Sequence, residues 1–247
     1  MEILLVTHNL WRESKAPLRD LHDILAQRPF AVGLNEAANH VRKIELAARQ
    51  YGYEVLVADE SMPRAARNNV LLVSQDLGHV RDWGVRLQVP PTAGTPARYQ
   101  VWADVGFKGL GRRARLLVDH ANAHIENPSW WNLPRQRVTR AHLRKIRRQI
   151  AESPFSTFHF GDMNLSFRNR FTRTRDFFYV KQARRGGATT SYAALGKPGR
   201  GTKGRRLIDY IAARVVRRAF RFKRQWIGEG YASDHRPLFV VVEVTPR

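Results

Sequence analysis

Short apolar stretches alternate along this chain with longer segments whose apolar residues recur every three or four positions. The stretches lie at 3–7, 31–34, 53–57, 70–73, 99–105, 114–118, 155–160, 207–212 and 238–244. Their Val, Ile, Leu and Phe content, with little polar alternation, predicts buried strands rather than solvent-facing hairpins. Leu18, Leu21, Ile24 and Leu25 share one face of a helix that must end near Arg28-Pro29, where proline has no N–H to continue it. A second helix is expected over 41–49. A third follows Pro134, with Leu143, Ile146 and Ile150 on one face and a run of arginines from Arg135 to Arg148 on the other. Gly186-Gly187 and the segment 196–204 are too rich in glycine and charge to pack as regular structure, and predict a mobile basic loop ahead of the strand carrying Asp209. Strands interleaved with covering helices indicate an α/β (α+β) layered domain. No repeat or linker divides it, so one domain over residues 1–247 is expected.

Composition adds a partner. The chain has 247 residues, 43% hydrophobic and 26% charged, a globular profile with ample core material. Lysine and arginine number 43 against 21 acids, for a net charge of +22. From Met163 to Arg224 there are 18 basic residues and only two acids, Asp176 and Asp209. A surface so cationic gains affinity for polyanions by releasing counterions from phosphates, which points to DNA or RNA. There is no cysteine, so disulfides and thiolate metal sites are excluded. Ile3-Leu4-Leu5-Val6 is too short for an export signal, and no stretch reaches the ~20 apolar residues of a membrane span. A soluble, cytoplasmic monomer with no membrane contact is the expectation.

The chemistry concentrates where strands end. Gly161-Asp162-Met163-Asn164 follows one apolar run, and Ser233-Asp234-His235 precedes another. A turn leaving a strand can aim several polar groups at one point beyond the sheet edge. Asp162 and Asn164 are placed to face one substrate atom, and Asp234-His235 sets a potential metal ligand beside an imidazole that titrates near neutrality. Metal-assisted hydrolysis is the reaction class this suggests. Other polar residues interrupt or end strands in the same way: Asn9, Asn35-Glu36, Asn122 with His124, and Asp209 in Ile208-Asp209-Tyr210.

In order and context this set, from Asn9 to His235, resembles the endonuclease/exonuclease/phosphatase superfamily of metal-dependent phosphodiesterases. The resemblance implies a four-layer sandwich, two mixed β-sheets face to face with helices outside, and a site at one edge of the pair. It implies a divalent cation, Mg²⁺ with Mn²⁺ as a substitute. Glu36 matches the family's principal metal-binding glutamate, Asn9 an asparagine beside that metal, and Asp234 a residue near it. Asp162 matches the aspartate that orients or deprotonates the attacking water, and Asn164 the asparagine on the phosphate. Asp209 matches the aspartate that fixes the catalytic histidine, His235. His124 matches a second histidine facing the phosphate. Arg98, Trp130 and Arg205 are assigned to substrate binding, Trp130 because an aromatic ring beyond His124 can stack on bases. Asp162 and His235 both remain open as the general base. His8, His22, His40, His79, His120, His142 and His159 fit no motif and are read as structural.

Two departures stand out. Trp11 occupies a position where many abasic-site enzymes carry an acid, which bears on a second metal position, and Asn35 replaces the usual glutamine before the metal glutamate. A nuclease is the leading reading. A phosphatase or phospholipase of the same superfamily is the rival, although the inositol-phosphatase signature Pro-Ala-Trp-Cys/Thr-Asp-Arg is absent. A catalytically silent nucleic-acid-binding module is the third reading, and it would be expected to lack Glu36, Asp162 or His235, all of which are present.

Overall fold

Two six-stranded mixed sheets lie face to face, each organised around one parallel pair. The structure is a computed structural model that describes residues 1–11, 14, 16–92, 96–121, 133–164, 184–204 and 206–246, apart from the side chains of 133–136. Its strands are β1 (Glu2–Asn9), β2 (Ala31–Asn35), β3 (Tyr53–Leu56), β4 (Val70–Ser74), β5 (Gly78–Val89), β6 (Arg98–Phe107), β7 (Arg113–Val118), β8 (Ser156–Asp162), β9 (Thr189–Thr190), β10 (Asp209–Arg214), β11 (Phe220–Ile227) and β12 (Leu238–Val244). The first sheet runs β11-β12-β1-β2-β4-β3 and the second β5-β6-β7-β8-β10-β9. Only β1–β2 and β7–β8 pair in parallel; the other neighbours are antiparallel.

Alternation along each strand decides what faces what. A Cβ added at Gly33 would lie 2.7 Å from Cβ of Phe160 and 3.2 Å from Val118, so β2 and the β7–β8 pair meet there. Ile3, Leu5, Val118, Phe158 and Phe160 belong to the inter-sheet core, all buried. On the outer face of the first sheet, Val6, Val32 and Leu34 pack under α1 (Pro17–Leu25) and α2 (Val41–Gln50) through Leu21, Ile24, Leu25 and Ile44. On the outer face of the second sheet, α3 (Leu133–Glu152) buries Leu143, Ile146 and Ile150. Truncating one such core leucine to alanine removes about 2–5 kcal/mol.

All nine expected strands and all three expected helices are present, with boundaries shifted by a few residues. β5, β9, β11 and the short α4 (Ser191–Leu195) were not expected. These three strands lie at sheet edges, where one side has no neighbour. The sequences of β5 and β11 are accordingly charged and half exposed, with no apolar run to reveal them. Asp209 opens β10 rather than lying inside it. The expected mobile loop also needs correction within 196–204. Thr202 is fully buried, its hydroxyl accepts N–H bonds from Ile208 and Asp209, and its carbonyl accepts one from Arg236. Among the described residues no helix is long and apolar enough to cross a membrane.

Candidate active site

The site forms where the carboxyl ends of the two parallel pairs meet across the sandwich. Asn9 and Asn35 are register partners at the ends of β1 and β2, and Asp162 and Asp209 are register partners at the end of β8 and the start of β10. β7 ends beside β8, delivering Asp119 and His120 to the same edge. Each sheet thus contributes a pair of short polar side chains to a common rim.

Asn9 joins the two sheets. Its Nδ2 donates to Oε1 of Glu36 at 3.0 Å and to Oδ2 of Asp162 at 3.0 Å, while its Oδ1 accepts the Trp11 N–H at 2.9 Å. Asn35 does the same one strand over: Oδ1 accepts the Asp162 N–H, and Nδ2 donates to Asn69 and to the Asp119 carbonyl. Asn164 takes its own N–H back to Asp162 Oδ1 at 2.8 Å and points its amide at Nε2 of His120, 3.2 Å away. His235 places Nδ1 2.9 Å from Asp209 Oδ2 and Nε2 3.7 Å from Asp162 Oδ2. Its backbone is held by Ser233, whose hydroxyl donates to the Asn9 carbonyl, and by Asp20, whose carboxylate accepts the N–H groups of Ala232 and Ser233.

The backbone is strained where it turns into the site. Trp11, Glu36 and Asn164 all adopt positive φ, at 49°, 55° and 50°. Left-handed conformations of non-glycine residues cost of order 1 kcal/mol or more each and persist when surrounding structure enforces them. Gly161 is demanded by geometry: at φ 148°, a Cβ would lie 1.8 Å from the Asp119 carbonyl oxygen. The same Asp119 carbonyl accepts the Asn35 amide from the opposite sheet.

Burial and neighbouring charge set the protonation states. Burial, reinforced by the Asp209 charge and only partly offset by His235, raises Asp162 to about 7. Burial opposes charge on His235, yet the Asp209 carboxylate, its hydrogen bond and Asp162 together raise the imidazole to about 9. His120 is held well below the usual imidazole range by burial and by Arg98, whose guanidinium lies 3.3 Å from Nδ1. The result is a neutral imidazole next to a charged one, with a carboxyl poised near neutrality between them.

Six of the residues expected from the sequence converge here: Asn9, Glu36, Asp162, Asn164, Asp209 and His235. Arg98 joins them at the start of β6. Asp234 lies at the margin of the site: its carboxylate is a third exposed and ion-paired with Lys203 Nζ at 2.8 Å, while its Oδ1 is 3.8 Å from His235 Nε2. His124, Trp130 and Arg205 lie outside the described residues. His120, read from sequence as structural, sits inside the site, with Nε2 3.8 Å from Glu36 Oε1 and 3.7 Å from Asp162 Oδ2. The signal for it was its place two residues beyond β7, the parallel neighbour of the strand that ends in Asp162.

Behind the site, on the outer face of β8, lies a second carboxylate cluster that the sequence did not announce. Asp119 accepts from Gln100 Nε2 at 2.6 Å and lies 3.0 Å from His142 Nε2 and 2.9 Å from His159 Nε2, all buried. Burial opposes its ionisation, but the two imidazoles outweigh it and hold the carboxyl well below the usual range.

Among the described residues, two groups offer donor atoms close enough to share one cation: Glu36, His120 and Asp162, and Asp162, Asp209 and His235, each within 4.8 Å. The first fits a hard divalent ion, since two carboxylates flank a single amide donor and Glu36 remains partly open to solvent. Asp162 is raised by burial beside a second carboxylate, the condition a bound cation relieves.

No protein-family model and no curated protein sequence matches the chain. Solved structures do. A D. rerio TDP2 complexed with a single-strand DNA product superposes with TM-score 0.72 at 18% identity, covering 98% of this chain and 99% of that one. An endonuclease/exonuclease/phosphatase from Bacteroides vulgatus gives 0.74 at 14%, covering 99% and 100%. A mannosyl-6-phosphatase from Bacteroides thetaiotaomicron gives 0.72 at 14%, covering 98% and 99%. With two mixed six-stranded sheets, outer helices and a polar rim at one edge, the chain has the fold of the endonuclease/exonuclease/phosphatase proteins.

Proposed function

We propose that the protein is a Mg²⁺-dependent phosphodiesterase that hydrolyses the backbone of a nucleic acid. The observation that carries this reading is the meeting of Asn9, Glu36, Asp162, Asn164 and the Asp209–His235 pair at one rim, built from both sheets. Glu36, with Asp162 behind it across the Asn9 amide, would hold the metal; when bound, Mg²⁺ supplies Lewis-acid stabilisation of charge on the phosphoryl oxygens. Mn²⁺ is expected to substitute.

The protein's own groups divide the proton work. Asp209 fixes the tautomer of His235, so that Nε2 carries a proton towards the site and donates it to the departing oxygen. Asp162, kept ionised once a cation is bound, orients the attacking water and takes its proton on Oδ2. These two atoms are 3.7 Å apart, so the proton gained by one can return to the other and reset the pair. The Asn164 amide and neutral His120 present polar groups to the phosphoryl oxygens, and Arg98 adds positive charge behind them. The excess of basic residues supports a polyanionic substrate.

The rival is a phosphomonoesterase, since one neighbour in fold is a sugar phosphatase. A single panel separates the two: plasmid, abasic oligonucleotide, RNA, bis-p-nitrophenyl phosphate and sugar or inositol phosphates, each with Mg²⁺ and with chelator. Cleavage of the phosphodiesters that vanishes with chelator and in Asp162→Asn is the expected result. Phosphate release from monoesters alone would overturn the nuclease reading in favour of the phosphatase. Salt-sensitive binding without any hydrolysis would leave a binding module.

A further inference from the structure

At the opposite end of the second sheet the outer face carries a row of residues that catalysis does not use. His79, Gly106 and Arg113 are register partners across β5, β6 and β7, and Phe155 comes next, one residue before the partner of Ala114. The row floors a trough of about 600 Å³ whose walls include Arg81 and Arg217 and whose lining contains no acid. Gly106 keeps it open: a Cβ there would lie 2.4 Å from the His79 ring and 3.2 Å from Nε of Arg81.

Some exposed arginines pair with carboxylates, as Arg221 does with Glu243 and Arg200 with Glu229, and others do not; what sets this group apart is its convergence on one trough whose lining holds no acid. Arg81, Arg113 and Arg217 are exposed and form no ion pair among the described residues. Arg217 also sits in a strained turn. Val216 and Ala219 close it through an N–H bond to a carbonyl at 3.2 Å, with both central residues, Arg217 and Arg218, at positive φ of 55° and 51°. Asn and Gly are the residues such a turn prefers. Two arginines held there at a conformational cost point to a use for their charge.

We propose that this trough is a second binding site for the phosphodiester backbone of a polynucleotide, separate from the catalytic rim. The two ends of β8, Ser156 by the trough and Asp162 in the active site, are six residue steps apart, roughly 20 Å at ~3.3 Å per residue. At the ~3.4 Å rise of a stacked strand, about six nucleotides cover that span. Long chains can therefore engage both sites, whereas very short ones can engage only one, and simultaneous engagement raises affinity without any new contact at the rim.

The choice of polynucleotide as ligand rests on the nuclease reading above, so the test measures binding in chelator, where no hydrolysis is required. Fluorescence anisotropy would follow a 30-nucleotide and a 4-nucleotide single strand across a salt series, using the wild type and the Arg81→Ala/Arg113→Ala/Arg217→Ala variant. The expected result is a fall of about 2 in the log–log salt slope for the 30-mer, from three lost phosphate contacts at about 0.7 each. Binding of the 4-mer and Mg²⁺-dependent hydrolysis of bis-p-nitrophenyl phosphate stay unchanged, the latter reporting an intact fold. An unchanged 30-mer slope, or equal weakening at both lengths, overturns the separate site. A wild type that binds the 30-mer but cleaves no nucleic acid when Mg²⁺ is restored overturns the nuclease reading and leaves the trough standing.

Discussion

Two buried carboxylates, Asp162 and Asp119, flank the end of the same parallel strand pair, each close to two histidines, and they titrate in opposite directions. Among the described residues the Asp119 carboxylate is met by donors, Gln100, His142 and His159. Asp162 receives the Asn9 amide and the Asn164 N–H but faces the Asp209 charge, and its histidine neighbours stand 3.7 Å away. Burial is nearly identical, so burial alone does not decide. The identity of the neighbours does: donors in contact lower a carboxyl, and a second carboxylate raises it. One cluster is thereby a buried charge under α3, and the other holds a carboxyl that titrates near neutrality.

The sharpest way to break this comparison is to neutralise each carboxylate in turn. Asp162→Asn should lower phosphodiester hydrolysis by about 10³-fold in kcat while leaving urea unfolding no easier than in the wild type. Asp119→Ala should do the reverse in kind, costing about 3 kcal/mol of stability because two imidazoles and an amide lose a buried anion. If the two variants behaved alike in both measurements, the division into a catalytic and a structural carboxylate would fail.

A pH series in chelator tests the same contrast more finely. Asp162 binds its proton more tightly folded, near 7, than unfolded, near 3.9, so its ionisation works against the fold as pH rises from about 4 to about 7. Asp119 has the opposite sign: its contribution is complete above about pH 4 and is lost as pH falls through its depressed native value. Asp162→Asn should therefore gain on the wild type by on the order of 3 kcal/mol between pH 4 and 7 in denaturant titrations. A constant difference across that window would mean that Asp162 titrates normally.

The smallest effect concerns Asp234. Its partner Lys203 is about a third exposed, and such pairs are worth at most about 1 kcal/mol, so Lys203→Ala should shift Tm very little. Mg²⁺ dependence of hydrolysis should also be unchanged. A marked change in the metal concentration needed for activity would support the metal role expected of Asp234 from sequence.

Much of this was legible in the chain itself. Buried strands such as β1, β4 and β12 announce themselves because both faces must be apolar, and α1 and α3 because one face must be. Charged edge strands β5 and β11 do not, since hydrogen bonding to a single neighbour requires no apolar pattern. Asp162, Asn164 and His235 were visible as polar residues beside strands. His120 was read as structural although it joins the site, because position in sequence does not reveal what packs against it. His235 is 2% exposed whereas its neighbour Asp234 reaches the surface, and only packing makes that distinction.

Local apolar patterning, which depends on a few consecutive residues, determined the layered architecture and placed the candidate site residues at strand ends. Which of two buried aspartates holds a proton, which histidine joins the site, and where exposed arginines gather far from it were decided by tertiary structure. Electrostatics and hydrogen bonding act through space, between groups such as Asn9 and Asp162 that lie more than half the chain apart and meet only when the two sheets close.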